Sequence, residues 1–304
     1  MNIYESVNEF KSRSNVVLTI GTFDGVHLGH QSIISNLNSY AKEINGESVL
    51  LTFHPHPRHI LLPDDNKMRL LTTILERSRL LDRFKLDHLI IQEFTSDFSR
   101  INPIHFVRDI LVNKLNVDTL VIGYDHHFGR NRQGSYEELI NLSKTYDFNL
   151  KRVGEKQVND VTISSTKIRN LLLEGKVDKA SKLLGYNYTF SGKVIHGDKL
   201  ARTIGFSTAN IQIDHLKILP KSGVYVVGIH VKSDYFHGML NISIDTYKTE
   251  VHIFDFNKDI YDLEISIEII SFLRDGRKMR DNEDLRCQLE LDQLRSRSML
   301  GLVN

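Results

Sequence analysis

The sequence has 304 residues, 40% hydrophobic and 25% charged, which suits two ordinary globular domains rather than a disordered or fibrous chain. Thirty-nine basic against 38 acidic residues leave a net charge of +1, which argues against a broad nucleic-acid surface but allows a local phosphate site. Cys287 is the one cysteine, so a disulfide framework and a CxxC zinc site are excluded; with no basic-then-apolar leader and no apolar run near ~18 residues, the expectation is a cytoplasmic protein without a membrane segment.

In chain order, 16–20 is a short β-branched run that leads into Gly21-Thr22-Phe23-Asp24-Gly25. Residues 31–44 carry Ile33, Ile34, Leu37 and Tyr40 at helical spacing. Strands are expected at 48–53, 88–91, 119–122 and 148–153, alternating with helices at 75–84, 104–115 and 136–146. Such alternation predicts an α/β domain, a Rossmann-like parallel sheet covered on both faces. Two short helices follow at 166–173 and 177–184. After Gly185 the pattern changes to strand-like runs at 190–196, 224–230, 236–242, 250–254 and 263–270, then a helix at 282–297 capped by Asp281. This predicts a small antiparallel β-barrel with a C-terminal helix. The domains expected are therefore 1–185 and 186–304.

The segment Gly21-Thr22-Phe23-Asp24-Gly25-Val26-His27-Leu28-Gly29-His30 joins a strand to a helix, where open parallel sheets bind ligands. Gly21 and Gly25 let the backbone turn and approach a phosphate, and the helix start offers free N–H groups. His27 and His30, three apart, share a face and can donate to a phosphate that gains charge during transfer. A metal pair is the competing reading of two such histidines. Together these features resemble the HxGH signature of the nucleotidylyltransferases, and the GxxxxGK[ST] loop of P-loop enzymes is absent.

Three further segments choose among nucleotidylyltransferases: Thr52-Phe53-His54-Pro55-His56-Pro57, Gly123-Tyr124-Asp125-His126-His127-Phe128-Gly129, and Ile163-Ser164-Ser165-Thr166-Lys167-Ile168-Arg169. In this order they resemble the bacterial riboflavin kinase/FAD synthetase family over nearly all of the first 185 residues. The resemblance implies AMP transfer from ATP to FMN with magnesium. It implies ATP binding by Gly21, Phe23, Asp24, Gly25, Gly29 and His56, and by Ser164, Ser165 and Thr166 at a helix start, with Arg169 on the leaving pyrophosphate. Asp125 and Phe128 match the segment that lines the cleft, where Phe128 either stacks on a flavin or adenine ring or belongs to the core.

Residues 187–304 resemble the family's riboflavin kinase module through Gly205-Phe206-Ser207-Thr208-Ala209-Asn210 and Glu250-Val251-His252-Ile253-Phe254-Asp255-Phe256. The resemblance assigns Thr208 and Asn210 to ATP-bound magnesium and Glu250 to the base that deprotonates the ribityl hydroxyl. Four departures stand against it: Ser207 in place of proline, Ala201 in place of glycine, a shortened 241–247 loop, and no glutamate after Arg274-Asp275. The expectation is an FAD synthetase whose kinase module is weak or inactive. The alternatives are a bifunctional enzyme with riboflavin as a second substrate, and a flavin-binding sensor. The oligomeric state is not legible.

Overall fold

The computed structural model describes residues 1–12, 14–62, 68–123, 136–154, 157–158, 161–197, 205–243 and 248–302. The chain divides into two compact units, Met1–Ser164 and Ser165–Asn304.

The first unit is built on β1 (Asn2–Tyr4), β2 (Val16–Ile20), β3 (Glu47–His54), β4 (His88–Glu93), β5 (Val117–Ile122) and β6 (Asn149–Arg152). They form one sheet in the order β1-β4-β3-β2-β5-β6, with every pairing parallel. Its helices are α1 (Leu28–Glu43), α2 (Pro57–Leu61), α3 (Ile74–Arg83), α4 (Ser96–Ser99), α5 (Pro103–His105) and α6 (Tyr136–Thr145). A two-stranded ribbon, β7 (Gln157–Val158) with β8 (Val161–Thr162), lies near its end. The Rossmann-like sheet is as expected.

The strands read as unbroken apolar runs because both faces are covered. Val16, Leu18, Val49 and Leu51 enter one core with Phe106, Ile110 and Leu139. Val17 and Leu50 enter the other with Ile34, Leu37 and Leu81 from α1 and α3. From β2 the chain steps outward to β3 and β4, then returns to place β5 on the other side of β2. That reversal opens a crevice at the carboxyl ends of β2 and β5, the position at which such sheets bind ligands.

The helix expected over 104–115 differs. After α5, Phe106–Val112 is π-helical. Asn113 N–H bonds Arg108 O at 3.0 Å and Leu115 N–H bonds Ile110 O at 2.9 Å, the five-residue step of a π-turn. The wider turn serves a stretch whose Phe106, Val107, Ile110 and Leu111 are all buried.

In the second unit α7 (Ser165–Leu173) and α8 (Val177–Leu184) precede β9 (Thr189–Ile195), β10 (Ala209–Ile213), β11 (Gly223–Val231), β12 (Asp234–Ser243), β13 (Lys248–Ile253) and β14 (Glu264–Arg274). These strands close an antiparallel barrel in the order β10-β13-β12-β11-β14-β9, with β9 also paired to β10. The sequence reading missed β10, a five-residue run directly after Thr208. Helix α9 (Asn282–Met299) has the expected cap, Asp281 accepting from Asp284 N–H at 2.8 Å. Leu289 packs against Phe206, Val224, Met239 and Phe254. The same helix carries buried Asp292, which receives Arg274 Nε at 2.9 Å and an Arg274 terminal nitrogen at 2.6 Å. The carboxylate that meets Arg274 thus comes from α9, not from the strand end.

Candidate active site

The residues between β2 and α1 form a tight, strained loop. Phe23 and Val26 have positive φ, 47° and 36°, and Gly25 has φ 83°. For phenylalanine and a β-branched valine that region is strained, and it persists only where the surroundings over-determine it. Here they do. The Asp24 carboxylate, 1% exposed, accepts from Leu71 N–H at 3.0 Å, Thr72 N–H at 2.9 Å and the Thr72 hydroxyl at 3.0 Å. Thr72 Oγ1 in turn accepts from Gly25 N–H at 3.0 Å. The Arg77 guanidinium lies 3.6 Å from Asp24 and donates to Thr72 O at 3.2 Å. Asp24 is therefore a latch that shapes the loop.

The sequence reading missed Leu71, Thr72 and Arg77. Only their neighbour carried a signal: Thr73-Ile74-Leu75-Glu76 is a capping box, with both reciprocal bonds formed at the start of α3. Nothing in the sequence distinguishes buried Arg77 from a surface arginine.

His27 does not lie inside the helix; it is the N-cap of α1, and its Nδ1 accepts from His30 N–H at 3.3 Å. Histidine is not among the usual caps, which is why α1 begins three residues earlier than its apolar spacing suggested. The two imidazoles stack with centroids 3.6 Å apart and planes 14° apart. Phe23, buried, stacks on the far face of His30 at 4.6 Å. Its ring thus packs against His30 within the loop. There is little room around this stack: a Cβ on Gly21 would meet the Phe23 ring at 3.0 Å and one on Gly29 the His27 ring at 3.2 Å, and at Gly25, with φ 83°, it would meet Leu71 Cδ1 at 2.6 Å. Burial, then the neighbouring His27 and Arg77, hold the His30 imidazole well below its ordinary value.

On the adjacent strand, β3 ends in a cis His54–Pro55 peptide, and His56 is the N-cap of α2 with Nδ1 accepting from Arg58 N–H at 3.2 Å. His56 is half-buried and His59 lies beside it at 5.8 Å. Gly123 follows β5 on the far side of the crevice, but Asp125 and Phe128 lie outside the described residues. Ser164 is exposed immediately before α7, which carries Ser165, Thr166 and half-buried Arg169 in the second unit.

In the barrel, β10 and β13 place Asn210 directly opposite Glu250, and Thr208 lines a 310 Å³ cavity with Val194, Ala209, Val251, Ile253 and Tyr261. A Cβ on Gly197 would fall 1.8 Å from the Asn210 amide nitrogen, so the backbone there is cradled against that side chain. Glu250 is half-buried and its carboxylate makes no hydrogen bond or ion pair among the described residues. Ser207 keeps its backbone fixed without proline: His252 Nδ1 donates to Ser207 O at 2.8 Å. Ala201 and most of the shortened loop lie outside the described residues. Among the described residues no cluster of three or more His, Cys, Asp or Glu forms a metal site.

The FAD synthetase family profile matches residues 9–167 and the riboflavin kinase profile matches residues 184–300. A bifunctional riboflavin kinase/FMN adenylyltransferase of Listeria monocytogenes is 36% identical over 296 residues, covering 94% of this chain and 93% of that protein. Its counterpart from Haemophilus influenzae is 37% identical over 282 residues, covering 90% and 91%. A solved structure described as a macrolide-efflux protein from Streptococcus pneumoniae superimposes with a TM-score of 0.87 at 30% identity, covering 97% of this chain and 98% of that one. That description belongs to that protein; among the described residues here no helix is long and apolar enough to cross a membrane. The expectation of a weak or inactive kinase module finds no support, because relatives similar along nearly their whole length carry both names. A chain that carries these two segments in this order, over nearly its whole length, belongs to the riboflavin kinase/FAD synthetase family.

Proposed function

We propose that this chain is a bifunctional enzyme: the barrel phosphorylates riboflavin to FMN, and the α/β unit transfers AMP from ATP to FMN, giving FAD and pyrophosphate. The observation that carries the second activity is the stacked His27–His30 pair on a latched glycine loop at the sheet's switch point. The FMN phosphate has a second pKa of about 6, by analogy with phosphorylated side chains, so it attacks without a base. Its oxygen bonds to the α-phosphorus as the bond to the bridging α–β oxygen breaks, and pyrophosphate leaves with that electron pair. The task of the residues is alignment and stabilisation of developing charge. His27 and His30 donate to the reacting phosphates, with Gly21, Gly25 and Gly29 permitting close approach and His56 near the nucleotide. On the family resemblance Ser164, Ser165 and Thr166 are assigned to ATP binding and Arg169 to the departing pyrophosphate. On this reading the functional boundary stays at 185/186, so α7 serves the adenylyltransferase.

In the barrel, Glu250 takes the proton of the ribityl hydroxyl, because an alcohol is a poor nucleophile without a base. The hydroxyl oxygen then bonds to the γ-phosphorus and ADP leaves. Thr208 and Asn210 offer a hydroxyl and an amide oxygen, hard donors of the kind magnesium takes alongside phosphate oxygens and water. The ion, when bound, neutralises phosphate charge. The half-buried Glu250 opposite Asn210, with no ion pair or carboxylate hydrogen bond among the described residues, supports this reading.

Chromatographic product analysis with ATP and magnesium, offering riboflavin and FMN in separate reactions, tests both halves. The expected result is FMN and FAD from riboflavin, and FAD from FMN. No FAD from supplied FMN refutes the adenylyltransferase reading, and no product from riboflavin refutes the kinase reading.

A further inference from the structure

An imidazole beside phosphates can act as a cation or as a neutral hydrogen-bond donor, and the two differ in where the protons sit. At His27 the geometry decides. Its Nδ1 receives the His30 backbone N–H at 3.3 Å. A nitrogen that accepts a hydrogen bond carries no proton, so while the cap holds the ring is neutral and its one proton is on Nε2. The same arrangement recurs at the end of the neighbouring strand, where His56 Nδ1 accepts from Arg58 N–H at 3.2 Å.

At His30 the argument is different. Its ring lies between Phe23 and His27. Its Nδ1 is buried with no hydrogen-bond partner among the described residues. An orphaned N–H is the rarer and more costly case than an orphaned acceptor, so the proton belongs on Nε2. A second proton is opposed by the surroundings. Arg77 from α3 acts on His30 with the same sign, His27 stacks on it from the loop, and the acidic Asp24 is paired to Arg77 at 3.6 Å.

We propose that the phosphate loop is a pair of neutral donors: His27 and His30 both carry their proton on Nε2 and are uncharged at pH 7. This rests on the adenylyl-transfer reading above. Neutral donors hold ground-state triphosphate less tightly than cations do, and their contribution grows as charge builds on the phosphoryl oxygens, which favours turnover over ground-state binding. The histidine cap thus has two jobs: it starts α1, and it aims an N–H.

Two measurements test this on the full chain. The first is a two-bond ¹⁵N–¹H correlation of the imidazoles at pH 7, assigned with the spectra of His27→Asn and His30→Asn. The expected signature is the neutral Nε2–H pattern for both rings; an Nδ1–H pattern or an imidazolium pattern from either ring overturns the proposal. The second compares His27→Asn and His27→Gln in FAD formation from ATP and FMN. Asparagine keeps a good cap acceptor but puts nothing where Nε2 was, whereas glutamine extends an amide N–H to that distance. His27→Asn should fall about 100-fold or more with unchanged melting, and His27→Gln should retain roughly tenfold more activity than His27→Asn. Equal loss in both overturns the neutral-donor role. Full activity in both, with the expected spectrum intact, refutes the adenylyl-transfer assignment of the loop instead of the tautomer.

Discussion

The latch beneath the phosphate loop can be broken by one atom. In Asp24→Asn an amide NH₂ replaces a carboxylate oxygen. If it replaces the oxygen that meets Leu71, two N–H donors face each other across 3.0 Å; if it replaces the other, it faces the Thr72 N–H and Arg77. The first arrangement is the milder, and it still strands the Arg77 charge beside a neutral amide. The Asp24 and Arg77 side chains are 1% and 3% exposed, so solvent screening does little to soften the loss. Breaking a buried pair from one side costs about 3–5 kcal/mol, a large share of a typical stability of about 5–15 kcal/mol. Arg77→Met on top of Asp24→Asn removes the stranded charge and leaves about 1–3 kcal/mol for the unmet donor. The double variant should therefore be about 2 kcal/mol more stable than Asp24→Asn alone, so the two losses are not additive. Urea unfolding measures the stability side, and kcat/KM for FAD formation measures the loop, which should lose activity in Asp24→Asn and regain part of it in the double variant. Additive losses, or full stability and activity in Asp24→Asn, refute the latch.

Other outcomes follow from the same geometry. Gly25→Ala forces a side chain into φ 83° and against Leu71, and should cost about 1–3 kcal/mol in thermal or urea unfolding. Glu250→Gln should lower FMN formation from riboflavin by about 100-fold or more while FAD formation from supplied FMN is unchanged; equal loss of both removes Glu250 from the kinase reaction. His30 is depressed from its ordinary 6.5 by burial first, then by His27 and Arg77. The unfolded state therefore binds the extra proton, and the stability contributed by neutral His30 is complete above pH 6.5 and lost as pH falls toward the folded value, by up to about 1.4 kcal/mol per pH unit. Melting of the wild type should drop through that window, and His30→Asn should flatten the drop.

The sequence by itself determined the architecture of each unit. Continuous apolar runs such as Val16–Ile20 between amphipathic helices admit only a parallel sheet covered on both faces, and short alternating runs after Gly185 admit a barrel. It also singled out the strand-to-helix turn proposed for phosphate chemistry, because glycines and histidines at fixed spacing are a local pattern. What it left open depends on partners distant in the chain. Asp24 reads as a loop carboxylate until Leu71, Thr72 and Arg77, forty-seven or more positions later, close on it. The stacking of the Phe23 ring on His30 is likewise decided only by the fold. The π-turn at Phe106–Val112 arises because a tertiary core, not local helix propensity, chose which four side chains to bury. The protonation site of His27 is the sharpest case: its spacing from His30 is written in the sequence, but only the folded backbone brings an N–H to Nδ1 and so decides which nitrogen is left to donate.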